Sequence, residues 1–102
     1  MTPKRGLRIA GPASEEFAEA VRWYEARRPG LGADLHDAIN ATIEAIERQP
    51  EIGAADYADR ISRRVSVSRF PHHVVYRLKD DEIVILAIAH MKRRPGYWKH
   101  RT

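Results

Sequence analysis

The sequence predicts an α+β fold of order β-α-α-β-β-β, with a helical hairpin packed on one face of a small, mainly antiparallel sheet. Three observations carry this. Apolar residues recur at helical spacing in two successive segments between residues 14 and 48. Pro29-Gly30 separates the two segments, as a short hairpin turn requires. Beyond residue 60 the period drops to two, and helix-then-strand order of this kind defines the α+β class.

A short strand is expected at Leu7–Ala10, ended by Gly11-Pro12. Ser14 is placed to cap the first helix, with Glu15 and Glu16 in a first turn where the helix dipole favours acids. Phe17, Ala20, Val21 and Tyr24 form its apolar stripe, and Arg27-Arg28-Pro29-Gly30 ends it. The second helix is expected from about Gly32 to Arg48. Leu31, Leu35, Ala38, Ile39, Thr42, Ile43 and Ile46 face inward, Asp34, Asp37, Glu44 and Glu47 outward, and Pro50 and Gly53 follow its end. A loop through Asp56 and Asp59 leads to a strand over Arg60–Phe70. Ile61, Val65 and Val67 share its apolar face, and Ser62, Arg64, Ser66 and Ser68 its polar one; Arg63 breaks the apolar alternation, as at an edge. His72–Lys79 follows, with Val74, Tyr76 and Leu78 opposite His73, Val75, Arg77 and Lys79. Lys79-Asp80-Asp81-Glu82 turns the chain, and Ile83–Ala89, apolar on both faces, reads as a central strand. The segment after His90 is too polar for a core element. It is expected to fold back on the sheet, anchored by Tyr97 and Trp98.

With 102 residues, 43% hydrophobic and 31% charged, the chain is expected to form one domain, residues 1–102. The absence of cysteine excludes disulfides and thiolate metal sites and suits a reducing, cytoplasmic compartment. No secretory leader and no membrane-spanning segment are expected, since the longest apolar run is Ile83–Ala89. The charge is segregated: residues 1–59 carry seven Lys/Arg against eleven Asp/Glu, whereas residues 60–102 carry eleven against three. The basic half therefore points to a polyanionic or acidic partner.

Within that half, Lys92, Arg93 and Arg94 are the strongest electrostatic candidates, and Arg64 lies on a polar strand face where phosphate or an acidic partner is reachable. His72 and His73 are adjacent on a strand and must face opposite ways; His73 shares its face with Arg77. His90, on the face of Ile88 and Leu86, is either a titrating contact or a hydrogen-bonded sheet-end residue. Tyr97 and Trp98 either stack on bases or serve as packing anchors. No His or carboxylate recurs at ligand spacing, so neither metal nor cofactor is expected.

Five further pieces, in this order, make the sequence resemble the RelE/ParE toxin superfamily. They are Tyr24 with Pro29-Gly30-Leu31-Gly32; Pro50-Glu51-Ile52-Gly53; Arg69-Phe70-Pro71-His72-His73-Val74-Val75-Tyr76; Ile83–His90; and Arg93-Arg94-Pro95-Gly96-Tyr97-Trp98 with Arg101. The resemblance implies a toxin of a type II toxin–antitoxin pair, neutralised by a cognate antitoxin and reaching operator DNA only through it. RelE-like members cleave messenger RNA at the ribosome, which needs a base, an acid and cations around the phosphate. On that branch His73, His90, Tyr97 and Arg64 would be catalytic. His73 and Met91, however, fall where the branch often has Arg. The Pro-Gly-Tyr-Trp ending is more similar to the ParE-like branch, which inhibits DNA gyrase by binding. Arg64, Arg77, Lys92, Arg93, Arg94, Trp98 and Arg101 would then contact the target. A third alternative is a non-toxic co-repressor acting with its antitoxin.

Overall fold

The computed structural model describes residues 5–56 and 59–101. The chain runs through β1 (Gly6–Ile9), α1 (Gly11–Arg27), α2 (Leu31–Arg48), β2 (Ala54–Ala55), β3 (Arg63–Ser66), β4 (His72–Lys79) and β5 (Glu82–His90). The strands form one sheet of order β1-β5-β4-β3-β2, parallel only where β1 meets β5. The predicted class and order stand, with the two-residue β2 as an addition. Ala54-Ala55 is too short to show any alternation.

Helix α1 corrects two expectations: it begins at Gly11, so its first turn holds no acid and Glu15 and Glu16 lie one turn further in, and Ser14 is not its cap. Pro12 lies at its start, where its fixed φ suits a first turn. Ser14 N–H already bonds to Ala10 O at 3.0 Å, so Ser14 lies inside the helix and is not its cap. The hairpin turn shows why Pro29-Gly30-Leu31-Gly32 is written as it is. Gly30 takes φ 89°, which favours glycine. The Glu25 carboxylate, one helix away, accepts from Gly30 N at 2.9 Å and Gly32 N at 2.9 Å, supplying the acceptor that opens α2. At Gly32 a Cβ would stand 2.6 Å from Val21 O, so glycine sets the approach of the helices.

Leu35, Ile39, Ile43 and Ile46 of α2 are buried as expected against β4 and β5, through Val74, Tyr76, Ile83, Ile85 and Ile88. Tyr76 also holds the segment after α2. Its hydroxyl donates to Pro50 O (2.8 Å) and accepts from Gly53 N (2.9 Å). Arg63, the residue that broke the strand's alternation, donates to Glu51 O and Gly53 O of the same segment. Tyr76→Phe strips partners from buried backbone groups and is expected to cost ~1–3 kcal/mol. Urea unfolding at neutral pH measures it, and a loss below ~0.5 kcal/mol would contradict the clamp.

The expected strand over Arg60–Phe70 shortens to Arg63–Ser66, with its phase shifted at the start. Ile61 is 68% exposed and Ser62 fully buried. Arg60 at φ 59° turns the chain, and the Asp59 carboxylate accepts from Ile61 N, Ser62 N and Ser62 Oγ. A polar turn thus overrides the hydrophobic pattern. In β5 the register against β4 slips: Val75 pairs with Ala87 and Tyr76 with Ile85. Leu86 is the extra residue of a bulge, and side chains beyond it change faces. Ile83, Ile85 and Ile88 therefore face the helices, while Val84, Leu86, Ala87 and Ala89 face the opposite side. His90 shares a face with Ile88 as expected, but not with Leu86. Among the described residues no helix is long and apolar enough to cross a membrane.

Candidate functional site

The sheet face turned away from the hairpin is covered by the segment after β5. Successive turns fold it back, through Arg93 N–His90 O, Lys99 N–Gly96 O and Arg101 N–Trp98 O bonds near 3 Å. Trp98, 4% exposed, lies among Val75, Val84, Leu86, Ala87 and Ala89, so the anchoring expected of this residue is observed.

A carboxylate from the first helix locks the segment down. β1 pairs with β5 only as far as Ile85, which leaves the next part of that β5 edge open. Glu16 Oε1 accepts from Ile88 N at 3.1 Å, and Arg101 donates to Leu86 O at 3.1 Å, so side chains continue the ladder. Arg101 also donates to Glu16 Oε1, and the Tyr97 hydroxyl to Glu16 Oε2, both at 2.8 Å. Burial and the adjacent Glu16 carboxylate push the Tyr97 phenol far above its ordinary pKa.

Beside this lock a cleft of about 120 Å³ opens, lined by Asp56, Arg64, His73, Met91, Arg93 and Trp98 among others. Arg64 projects from β3 toward the buried Asp56, with a 3.8 Å ion pair. His73, opposite Ser66 in the β3–β4 ladder, lies 3.4 Å from the Ser66 hydroxyl. Burial and the Arg64 charge hold its pKa below the usual histidine value, against the opposing pull of Asp56. The Arg93 guanidinium sits 4.0 Å over the Tyr97 ring, which fixes its stem while leaving the residue exposed.

Arg64, His73, Arg93 and Trp98 are thus brought together, with His90 at the cleft's end. Lys92 and Arg94 are exposed on the adjoining turn, outside the cleft lining. Arg77 is placed elsewhere: its guanidinium bonds to Ser62 Oγ (3.0 Å) and Asp59 Oδ2 (2.7 Å). Burial alone would raise the Asp59 pKa, but these bonds and those from Ser62 and Ile61 hold it well below the carboxylate range. Arg101 and Tyr97 are committed to Glu16. His90 Nδ1 accepts from Lys92 N (3.0 Å), and its ring meets His72 edge-on at 5.1 Å.

Sequence reasoning missed three acids. Glu16 and Asp59 organise the cations, and Asp56 lies inside the cleft. A second cavity, about 290 Å³, lies on the helix side between Glu19, Trp23, Tyr24, His72 and His90. No group of three or more His or acidic side chains among the described residues is arranged to hold a metal ion.

A family model described as "ParE toxin of type II toxin-antitoxin system, parDE" matches residues 7–95. The chain belongs to the ParE toxin family. Among solved structures it is similar to one titled for a chromosomal ParDE toxin–antitoxin system from P. aeruginosa. That match has a TM-score of 0.74 and 19% identity, covering 85% of this chain and 96% of that one. It is also similar to the YoeB dimer from Staphylococcus aureus, at TM-score 0.58 and 14% identity, covering 83% and 94%. At such identities these likenesses establish the fold alone. No curated protein sequence matches the chain. The protein is a ParE toxin of a type II toxin–antitoxin system, with the fold that its motifs implied.

Proposed function

We propose that this ParE toxin inhibits DNA gyrase by binding, in the cytoplasm, and is neutralised by a cognate antitoxin encoded beside it. The observation that carries the reading is how the polar groups are spent. Lys92, Arg93 and Arg94 stand exposed on a segment pinned to the sheet, as a binding surface needs. The groups that strand scission would use are poorly disposed for it. Tyr97 gives its proton to a hydrogen bond with Glu16 and is held far from titration, and the cleft wall carries Met91 where a cation would serve. Binding requires neither metal nor cofactor. Arg64 lines the adjoining cleft, whereas Trp98, 4% exposed, and Arg101, bound to Glu16, anchor the segment, and Arg77 is tied to Asp59 away from it.

The antitoxin is expected to cover the helical hairpin or this basic face with an acidic and apolar segment that folds as it binds, and to bring the pair to operator DNA. Supercoiling by purified gyrase, run beside messenger RNA cleavage on programmed ribosomes, tests the mechanism. The expected result is lost supercoiling with intact message. Reversing all three exposed charges (Lys92→Glu, Arg93→Glu, Arg94→Glu) is expected to weaken inhibition roughly tenfold or more. Ribosomal cleavage with gyrase unaffected overturns the proposal. An inert protein in both assays, with no growth arrest on expression, favours a co-repressor role.

A further inference from the structure

The cleft between β3, β4 and the folded-back segment has the wrong dimensions for a nucleotide but the right ones for a single side chain. Its volume of about 120 Å³ lies well below the ~300–1,000 Å³ typical of small-molecule sites. Its polar groups are Asp56, Arg64, His73, His90, Arg93 and the Trp98 indole; Val75, Ala89, Met91 and Pro95 supply an apolar wall. Among the described residues its lining thus holds two guanidinium groups and one carboxylate, Arg64 being already paired with Asp56 at 3.8 Å. The Trp98 indole N–H, buried within this wall, has no hydrogen-bond acceptor.

We propose that this cleft seats one carboxylate side chain of an acidic peptide partner, paired with Arg64 and Arg93 and lying beside the Trp98 side chain. Charge complementarity selects the occupant, because the half of the chain that builds the cleft carries eleven Lys/Arg against three Asp/Glu. Asp56 inside the cleft disfavours a dianionic phosphate, whereas a singly charged carboxylate on an aliphatic stem matches both the charge and the apolar wall. Arg93 is presented ready for the pairing, since Tyr97 already holds its planar group at 4.0 Å. The inference concerns the partner of this face and stands whether or not gyrase is the target.

The chain has two tryptophans, so two indole signals appear in a nitrogen–proton correlation spectrum, and Trp23→Phe assigns them. The uniformly labelled toxin is titrated with a blocked peptide alternating Leu and Glu, with its Gln counterpart, with inorganic phosphate and with a short DNA duplex. The expected result is a saturable shift of the Trp98 indole signal by the Glu peptide alone. Arg93→Met is expected to weaken that binding roughly tenfold, the scale of one lost charged hydrogen bond. Arg64→Met, checked for retained fold by circular dichroism, is expected to do the same. Equal response to the Gln peptide overturns the inference, as does a response to phosphate or DNA without one to the Glu peptide, or an unchanged affinity in Arg93→Met. Because the signal is read on the toxin alone, a negative gyrase assay leaves it intact. Gyrase inhibition with a silent Trp98 signal sinks only the carboxylate seat.

Discussion

Replacing Glu16 with alanine is expected to destabilise the fold by about 3 kcal/mol and to free the segment that carries the exposed cations. One carboxylate accepts from Ile88 N, Tyr97 Oη and Arg101 Nη1, so its removal strands a strand amide, a phenol and a guanidinium together. Charged hydrogen bonds contribute roughly 1.5–3 kcal/mol each, but three on one group do not add. The pair Arg101–Glu16 also keeps some contact with water, 19% and 16% exposed, which screens part of the loss. For a domain of this size that loss corresponds to a melting shift of roughly 12–24 °C. Glu16→Gln keeps the shape but turns one acceptor into a donor facing the Tyr97 or Arg101 donor, so it is expected to recover only part of the stability. The distinguishing readout is local. Trypsin is expected to cut after Lys92 or Arg93, Arg94 being shielded by Pro95, at low enzyme doses in the variant and not in the parent. Unchanged proteolysis together with a stability loss under ~1 kcal/mol would mean that Trp98 packing alone holds the segment.

That lock explains where the sequence could be read and where it could not. The helices were legible because their apolar stripes are local and repeat, and β4 was legible because Val74, Tyr76 and Leu78 recur at a period of two, with His73, Arg77 and Lys79 among the residues of the other face. Glu16 was not, because its partners lie 72 to 85 residues away and nothing near it distinguishes an inward acid from an ordinary first-turn acid. The β5 bulge was hidden for the opposite reason. A strand apolar on both faces has no alternation to break, so the extra residue at Leu86 left no mark and His90 was assigned beside the wrong neighbour. At Ile61 hydrophobicity misled, since Asp59 could satisfy two amides and a hydroxyl only by turning the chain outward there.

The cations show the same limit at the functional surface. Segregated charge correctly drew attention to the second half of the chain, yet charge alone could not separate Arg93, stacked and exposed, from Arg77, sealed against Asp59 at 2.7 Å. Every such distinction turned on an acid drawn from the loop or from the helix. A basic surface is sorted into binding and supporting residues by where the few carboxylates lie.

Between pH 7 and pH 4 a large pH effect is expected from His72, which lies on the strand face opposite His73. It is 5% exposed and wedged between Tyr24 and His90, with its Nδ1 buried and unpaired. Burial, then the neighbouring His90 and His73, push its pKa from 6.5 down to about 4. The folded protein therefore binds fewer protons than the unfolded chain between those values, and stability must rise with pH there. This contribution is intact above pH 6.5, is lost as pH falls toward 4, and changes no further below that. At 1.36 kcal/mol per unit the full loss is roughly 3 kcal/mol, an upper figure because local rearrangement can hydrate the ring. His73, also shifted down, adds in the same direction. His72→Phe keeps an aromatic ring against Tyr24 while removing the proton site and the unpaired nitrogen. Urea unfolding of parent and variant at pH 7 and pH 4.5 isolates the term, since the carboxylates titrate in both and cancel in the difference. The parent is expected to lose about 2 kcal/mol more than the variant across that interval, because most of the proton uptake by the unfolded chain has occurred by pH 4.5. Parallel losses in the two proteins would show that the imidazole opens to water before it charges, and that the aromatic cluster around it is softer than its packing implies.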